Sequence, residues 1–154
     1  MASYHFHLTQ VKRSRGQSVI AQAAYRAGEK LYSTYYGESS DFTRKRGVVM
    51  AEICLPDHAP REYADRETLW NALEWAESGR KAQLAHSFDI TLMNEFSMEE
   101  NIEMARAFVQ EELVARGMIA DFAIHDPVRP KGAEPNPHIH ILVPIRPLKE
   151  DGTW

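Results

Sequence analysis

Two histidines near the end of the chain, His138 and His140, have the spacing of metal ligands on a β-strand. They lie two residues apart in PNPHIHILV, so on a strand both imidazoles point to one face and the intervening isoleucine points to the other. Adjacent imidazoles are costly to bury without partners, whereas neutral imidazole nitrogen suits divalent ions of borderline softness. We therefore interpret the pair as part of a metal site. The alternative is a histidine-rich strand end exposed to water.

A third histidine, His125, ends the preceding segment AIHD, and the loop after it returns the chain to His138. If the two segments are neighbouring strands, three imidazoles converge. Three protein ligands leave coordination positions open, as a catalytic ion requires and a structural ion usually does not. The expected cofactor is a divalent metal ion, whose identity stays open among manganese, magnesium, nickel, cobalt and zinc.

The segment LAHSFDITL alternates polar and apolar residues and places an acid, Asp89, on the same face as Ser87 and Thr91. A charge is unexpected in a strand whose other face is apolar. Asp89 could orient a metal ligand or take a proton, or it could simply face solvent. The residues alone leave both roles open.

Tyr25 lies in an alanine-rich segment behind the basic sequence KRSRG, with Arg26 beside it and Lys30 further along. The small neighbours leave space around its ring, and a phenol attacks phosphate when a nearby cation favours its ionised form. A helical tyrosine is nevertheless more often a core or surface residue. Its rivals for a chemical role are Tyr32, Tyr35 and Tyr36.

The net charge of −4 conceals an uneven distribution along the chain. Residues 1–50 carry 8 basic and 3 acidic side chains, residues 51–126 carry 6 and 16, and residues 127–154 carry 4 and 3. A cationic first third can form a basic face despite the acidic total, although an ordinary mixed surface is the alternative. The expected contacts to nucleic-acid phosphates are Arg13, Arg15, Arg26, Lys30, Arg44, Lys45 and Arg46.

The 154 residues fit one domain with a core, spanning 1–154, which we expect to be the N-terminal part of a longer protein. A hydrophobic content of 44% and a charged content of 26% are typical of globular proteins. The sequence has neither a membrane-spanning run nor a signal peptide. With Cys54 as its one cysteine it has no internal disulfide, and we expect a cytoplasmic location.

The periodicity predicts the order β α β α β α β β, an α+β sheet with helices on one side. The strands are expected at 2–11, 48–56, 84–92, 118–125 and 138–145, and the last two should pair antiparallel. The first helix should begin at Gln17 or Ser18 and end near Leu31, followed by a loop or hairpin over 32–47. Asp65 should cap a second helix that ends near Gly79. Ser97 and Glu100 form a capping box for a third helix over 98–117.

Several blocks together resemble the relaxase domain of the MobA/MobL family. They are AxYHF at the start, GQSxxAxxAYRAG, and IHxP followed by NPHIHxLVP. The likeness continues through EICLP, ETLWN, LMNEFS and ARAFVQEELVARGMIADFAIH, and the joined GQS…AxxAY and NPHxH blocks are specific. The resemblance implies the fold of the HUH relaxases and rolling-circle nucleases, a central antiparallel sheet of about five strands with flanking helices.

The resemblance also implies a function. Such a protein nicks one DNA strand at the origin of transfer of a mobilisable or conjugative element, forms a 5′-phosphotyrosine link, and rejoins the ends after transfer. Its expected partners are single-stranded or melted origin DNA, accessory mobilisation proteins and a transfer coupling protein.

The site residues carry over by position. Tyr25 falls on the catalytic tyrosine of the family. The metal ligands map onto His125, His138 and His140. Relatives usually carry glutamates near the site where this chain has Ser87 and Asp89, so Asp89 is the local candidate for a catalytic carboxylate.

Other classes of function remain open at this point. A metal-dependent phosphodiester hydrolase would use the same histidines and a bound water, and would leave no protein–DNA link. A DNA-binding module without chemistry would not need an open metal site. Within the HUH class, a replication initiator or transposase is a nearer alternative, and the joined sequence blocks favour mobilisation.

Overall fold

The computed structural model describes residues 4–154, and their elements follow the expected order, with a hairpin in the segment where a loop or hairpin was expected. The strands are β1 (Phe6–Lys12), β2 (Lys30–Ser33), β3 (Glu38–Asp41), β4 (Val48–Cys54), β5 (Gln83–Thr91), β6 (Ala120–His125) and β7 (His138–Pro144). The helices are α1 (Val19–Ala27), α2 (Arg66–Ala76) and α3 (Met98–Glu112). Residues 2 and 3 of the first expected strand lie outside the described residues.

Within residues 4–154, the five longer strands form one antiparallel sheet in the order β1-β5-β7-β6-β4, and β2 pairs with β3 in a separate hairpin. The expected antiparallel pairing of β6 with β7 is confirmed, and His125 lies directly opposite His138. Strand β7 is central, so its side chains contact residues of both β5 and β6.

Helices cover both faces of the sheet, so the prediction of helices on one side is wrong. Helices α1 and α2 pack on one face, where Ile20 and Leu69 join the core around Leu142. Helix α3 covers the opposite face, against Phe122 and Ile141. Residues 122–124 of β6 and 141–143 of β7 are consecutive apolar residues, and a strand segment of that kind is buried on both sides.

Helix α1 begins where expected and ends earlier than expected. The Ser18 hydroxyl accepts a hydrogen bond from the Ala21 N–H at 3.2 Å, which caps the first turn. Gly28 adopts a left-handed conformation with φ 67° and stops the helix. Leu31, the expected last helical residue, lies buried in β2 instead. Tyr25 therefore sits in the last turn of α1.

The other two helices start at the expected caps. The Asp65 carboxylate accepts from the Thr68 N–H at 2.8 Å. The capping box of α3 is confirmed, with Ser97 and Glu100 bonded reciprocally at 3.1 and 2.7 Å. Among the helices of residues 4–154, none combines the length and apolar character needed to cross a bilayer.

A buried ion pair holds α2 to the sheet. Arg66 of α2 donates to both carboxylate oxygens of Asp121 on β6, at 2.8 and 2.9 Å. The Trp70 indole donates to the same carboxylate at 2.9 Å, and Arg66 also contacts Glu29, just after α1, at 2.6 Å. These contacts fix the helical layer that carries Tyr25 against the strand that carries His125.

Breaking that pair should destabilise the domain. Asp121→Ala would leave the buried Arg66 guanidinium without its main partner, so we expect the free energy of unfolding to fall by about 3–5 kcal/mol. Arg106→Ala is the matched control, because it removes the exposed pair of Arg106 with Glu52 (2.9 Å) and should cost about 1 kcal/mol or less. Urea unfolding measures both free energies. Equal losses in the two variants would contradict the conclusion that the Arg66–Asp121 pair holds α2 to the sheet.

Candidate metal centre and nucleophile

Three histidines converge at one end of the β6–β7 hairpin. His125 ends β6 and lies opposite His138 at the start of β7, while His140 lies two residues further on the same face. One ring nitrogen from each residue lies within 4.8 Å of one from each of the other two. The ring centroids of His125 and His140 are 4.4 Å apart, and those of His138 and His140 are 4.6 Å apart. The cluster forms as the strand alternation predicts, with His138 and His140 on one face of β7 and His125 opposite His138.

Each imidazole is hydrogen-bonded through one nitrogen to an oxygen acceptor. His138 Nδ1 contacts the main-chain oxygen of Asn136 at 3.0 Å, and His125 Nε2 contacts that of Arg26 at 2.7 Å. His140 Nδ1 contacts a carboxylate oxygen of Asp89. Because these oxygens can only accept, the bonded nitrogens carry the protons. The second nitrogen of each ring therefore keeps a lone pair for a cation.

Burial favours the neutral form of two of these imidazoles, His125 and His140. Burial, together with repulsion from the other two histidines and Lys45, lowers the pKa of His125 to about 4, despite the opposing hydrogen bond to Arg26. Burial also lowers the pKa of His140, against the effect of Asp89. A metal ligand must be unprotonated, so the donor set fits a divalent ion at neutral pH. Three nitrogen ligands leave coordination positions of the ion free for oxygen ligands.

Asp89 is hydrogen-bonded to one of these histidines. It lies on β5 opposite His140 and faces the same side of the sheet. Burial disfavours its ionised form, but the hydrogen bond from His140 and the charge of Arg26 outweigh it and lower the pKa of Asp89. A carboxylate that accepts from a neutral imidazole fixes the ring and makes its other nitrogen a better ligand. The sequence left Asp89 open between a role at the site and a solvent-facing carboxylate, and the structure places it half-buried against His140.

We expect Asp89→Asn to weaken cation binding by about 10- to 100-fold, because an amide supports the His140 ring less strongly than a carboxylate does. Calorimetric titration with manganese or zinc measures the change. Thr91→Val, on the same face of β5, is the control, because the Thr91 side chain forms no hydrogen bond to a histidine of residues 4–154. An unchanged affinity in Asp89→Asn would show that the contact does not support the ligand.

Tyr25 lies beside the histidine cluster. Its side chain is 48% exposed and lines a cleft of about 400 Å³ together with Arg26, Phe42, Asp89 and His140. The rival tyrosines do not line this cleft. Tyr32 lies on β2, and Tyr35 packs against the ring of Trp75, with centroids 5.0 Å apart.

Two of the arginines expected to contact phosphate, Arg13 and Arg26, are half-buried rather than fully exposed. Arg13 is committed to the protein, since it pairs with buried Glu74 at 3.0 Å and donates to the main-chain oxygens of Glu77 and Gly79. We correct the expectation for Arg13, because a phosphate contact would leave the Glu74 carboxylate buried and unpaired. Arg26 lines the cleft, donating to Gln22 and Ser87.

The other basic residues of the expected set differ in exposure. Arg15, Lys30, Arg44 and Arg46 are exposed and form no ion pair with a carboxylate of residues 4–154. Lys45 is half-buried and lies against Tyr25, with its ammonium 3.2 Å from the ring centroid.

Sequence reasoning missed three contacts of this site. The carbonyl groups of Arg26 and Asn136, which bind His125 and His138, are main-chain atoms and leave no residue-type signal. The contact of Lys45 with Tyr25 was also missed, because Lys45 was assigned only to phosphate binding. The residue pattern gave no signal for it, because the two residues lie 20 positions apart in sequence.

Comparisons with known proteins agree with this architecture. The sequence model of the MobA/MobL family matches residues 17–154. The conjugal transfer protein TraA of Agrobacterium fabrum is 38% identical over 162 residues, and the probable mobilization protein MobA of Bifidobacterium longum is 36% identical over 155. A solved structure described as "Molecular Basis of Vancomycin Resistance Transfer in Staphylococcus aureus" superposes with a TM-score of 0.88 at 34% identity.

The central antiparallel sheet with helices on both faces is therefore a fold shared with a solved relative over 99% of this chain and 75% of the other. The chain belongs to the MobA/MobL family. It spans 14% of the length of the TraA protein and 27% of the length of the MobA protein, while 99% and 100% of its own length is matched.

Proposed function

We propose that this chain is the DNA-nicking domain of a relaxase, which cuts and rejoins one strand at the origin of transfer of a mobilisable or conjugative element. The observation that carries the proposal is the cleft that Tyr25 shares with His140, one of three converging imidazoles. The names of the relatives, conjugal transfer and mobilization proteins, support the same function.

The histidine cluster would hold a divalent cation through His125, His138 and His140. When bound, such an ion supplies Lewis-acid polarisation of a phosphate oxygen. Asp89 keeps the His140 ring in its ligand orientation, and its bond to that ring makes it a positioning group rather than a proton acceptor.

Tyr25 is the proposed nucleophile. Its phenolic oxygen attacks the phosphorus, the new bond links tyrosine to the 5′ phosphate, and the bond from phosphorus to the 3′ oxygen breaks. The phenolic proton is released to solvent, and the departing 3′ oxygen takes up a proton to become a hydroxyl. Because the phosphodiester energy is kept in the tyrosine link, reversal at the same site rejoins the ends.

Basic residues would bind the strand around the cut. The Arg26 guanidinium in the cleft lies where it can neutralise the scissile phosphate. Arg15, Lys30, Arg44 and Arg46 are exposed and suit sequence-independent phosphate contacts. The substrate is single-stranded or melted origin DNA in the cytoplasm. The proposed partners are accessory mobilisation proteins and a transfer coupling protein.

The test is an adduct assay with a single-stranded oligonucleotide carrying the origin of the element that encodes this protein. With manganese or magnesium added we expect a protein–DNA band that survives denaturing electrophoresis, and with chelator we expect none. Cleavage without a covalent band would favour a hydrolase that uses bound water. Undiminished nicking in chelator would remove the metal from the mechanism.

A further inference from the structure

Lys45 makes two contacts with Tyr25, and the first is to the ring. The lysine lies between β3 and β4, in a turn held by its own N–H, which donates to the Phe42 carbonyl at 3.0 Å. Its ammonium lies 3.2 Å from the Tyr25 ring centroid. A cation at this distance over an aromatic face is attracted by the electron density of the ring.

The second contact is to the main chain of the same residue. The last carbonyls of a helix lack partners within the helix, and cations are favoured at that end. The Lys45 ammonium donates to the Tyr25 carbonyl at 3.1 Å, and the next carbonyl, of Arg26, accepts from His125. Two consecutive carbonyls at the end of α1 are thus bound, one by Lys45 and one by a metal-site histidine.

These contacts restrict a side chain that the helix alone leaves mobile. The Tyr25 ring is half-exposed. The Phe42 ring meets it edge-on, with centroids 5.3 Å apart and planes at 89°. Lys45 lies on its face, so these two residues together narrow the rotamers that Tyr25 can adopt.

The Lys45 charge has no carboxylate partner among residues 4–154. Burial and the neighbouring Arg26 guanidinium lower the pKa of Lys45 to about 8, so most of the amine stays protonated at neutral pH. Its positive charge is therefore directed at the ring and the carbonyl of Tyr25 rather than at an acid.

We propose that Lys45 is a positioning residue for the nucleophile: it holds the Tyr25 ring and the end of α1 in the orientation needed for attack beside the histidine cluster. The inference rests on the proposed function, in which Tyr25 attacks phosphate. This role differs from the phosphate binding that we propose for the other basic residues, because Lys45 acts on Tyr25 and not on the DNA.

The experiment compares Lys45→Met, which keeps an unbranched stem and removes the charge, with Lys45→Arg, which keeps the charge. Lys149→Met, the same chemical change at an exposed lysine after β7, is the control. Two quantities are measured: the single-turnover rate of adduct formation at saturating oligonucleotide, and the ¹⁹F NMR resonance of Tyr25 in 3-fluorotyrosine-labelled protein. Tyr25→Phe assigns that resonance.

We expect Lys45→Met to slow adduct formation about tenfold at saturation, and to shift and broaden the Tyr25 resonance. Lys45→Arg should recover most of the rate, and Lys149→Met should change neither quantity. A Lys45→Met protein that loses affinity but keeps its saturated rate would overturn the inference, because Lys45 would then only bind phosphate. An unmoved fluorine resonance would overturn it as well.

The two readouts separate the two proposals. If the wild type forms no adduct while the fluorine resonance still depends on Lys45, the nucleophile assignment fails and the contact itself stands. If the adduct forms at equal rates in wild type and Lys45→Met, the proposed function stands and the positioning role fails.

Discussion

Tyr25→Phe should abolish the covalent protein–DNA adduct while leaving binding of the single-stranded origin oligonucleotide within about twofold. The substitution removes one oxygen from a half-exposed ring and keeps the edge contact with Phe42, so the fold and the DNA surface should not change. Loss of a nucleophile removes the reaction path itself, and we expect the adduct rate to fall by at least about 10³-fold. Denaturing electrophoresis measures the adduct and fluorescence anisotropy the affinity.

Tyr32→Phe and Tyr35→Phe are matched controls for that experiment, because they remove the same oxygen from half-exposed rings that do not line the cleft. Both should form the adduct at the wild-type rate. An adduct that persists in Tyr25→Phe would show that another residue is the nucleophile. The double variant Tyr25→Phe/Tyr32→Phe would then be examined first.

His138→Ala should lower cation affinity and nicking together. His138 supplies one of three imidazoles, and its Nδ1 is already occupied by the Asn136 carbonyl, so its Nε2 is the nitrogen available to an ion. Loss of a group that only supports a ligand weakens metal binding by about 10- to 100-fold, so removing one of three nitrogen ligands should weaken it more, with a matching loss of adduct at limiting metal. Calorimetry and the adduct assay, run across a range of metal concentrations, measure the two effects.

The control is His86→Ala, which removes a histidine of β5 that is not in the cluster. It should leave cation affinity unchanged. Excess metal should restore part of the activity of His138→Ala. Normal nicking by His138→Ala at limiting metal would exclude this histidine from the centre.

The histidine cluster could be predicted because it depends on local rules. Alternation along β7 places His138 and His140 on one face, and the short connection to β6 brings in His125. The contact of Asp89 with His140 could not be predicted in the same way. It depends on the register between β5 and β7, whose paired residues lie about fifty positions apart in sequence.

Two wrong predictions, the end of α1 and the role of Arg13, can be traced to residues that are visible in the sequence. Gly28 stopped α1 before Leu31, and a glycine at that place is a common helix end. Glu74 lies on the apolar side of α2, beside Leu73 and Trp70, and a carboxylate buried there needs a cation. Arg13 is that cation. Its position in the basic segment KRSRG therefore led to the wrong prediction that it contacts phosphate.

The position of Tyr25 was neither predicted by local rules nor predicted wrongly. Its residue type and surroundings did not distinguish it from the other tyrosines, and the family resemblance selected it. The structure adds a reason that depends on tertiary packing: Tyr25 shares a cleft with His140, because α1 lies across the same face of the sheet as the histidines.

One face of the sheet is covered by an acidic helix. Helix α3 carries five glutamates and one arginine, and it covers the face opposite to the histidines. A polyanion approaching from that side is repelled, while one approaching the cleft meets Arg26 and Lys45. The acidic side chains of α3 therefore lie across the sheet from the cleft, and the net charge of −4 does not describe the surroundings of Tyr25, where Arg26 and Lys45 are neighbouring cations. An acidic total charge and a cleft with cations beside it are thus compatible in one small domain.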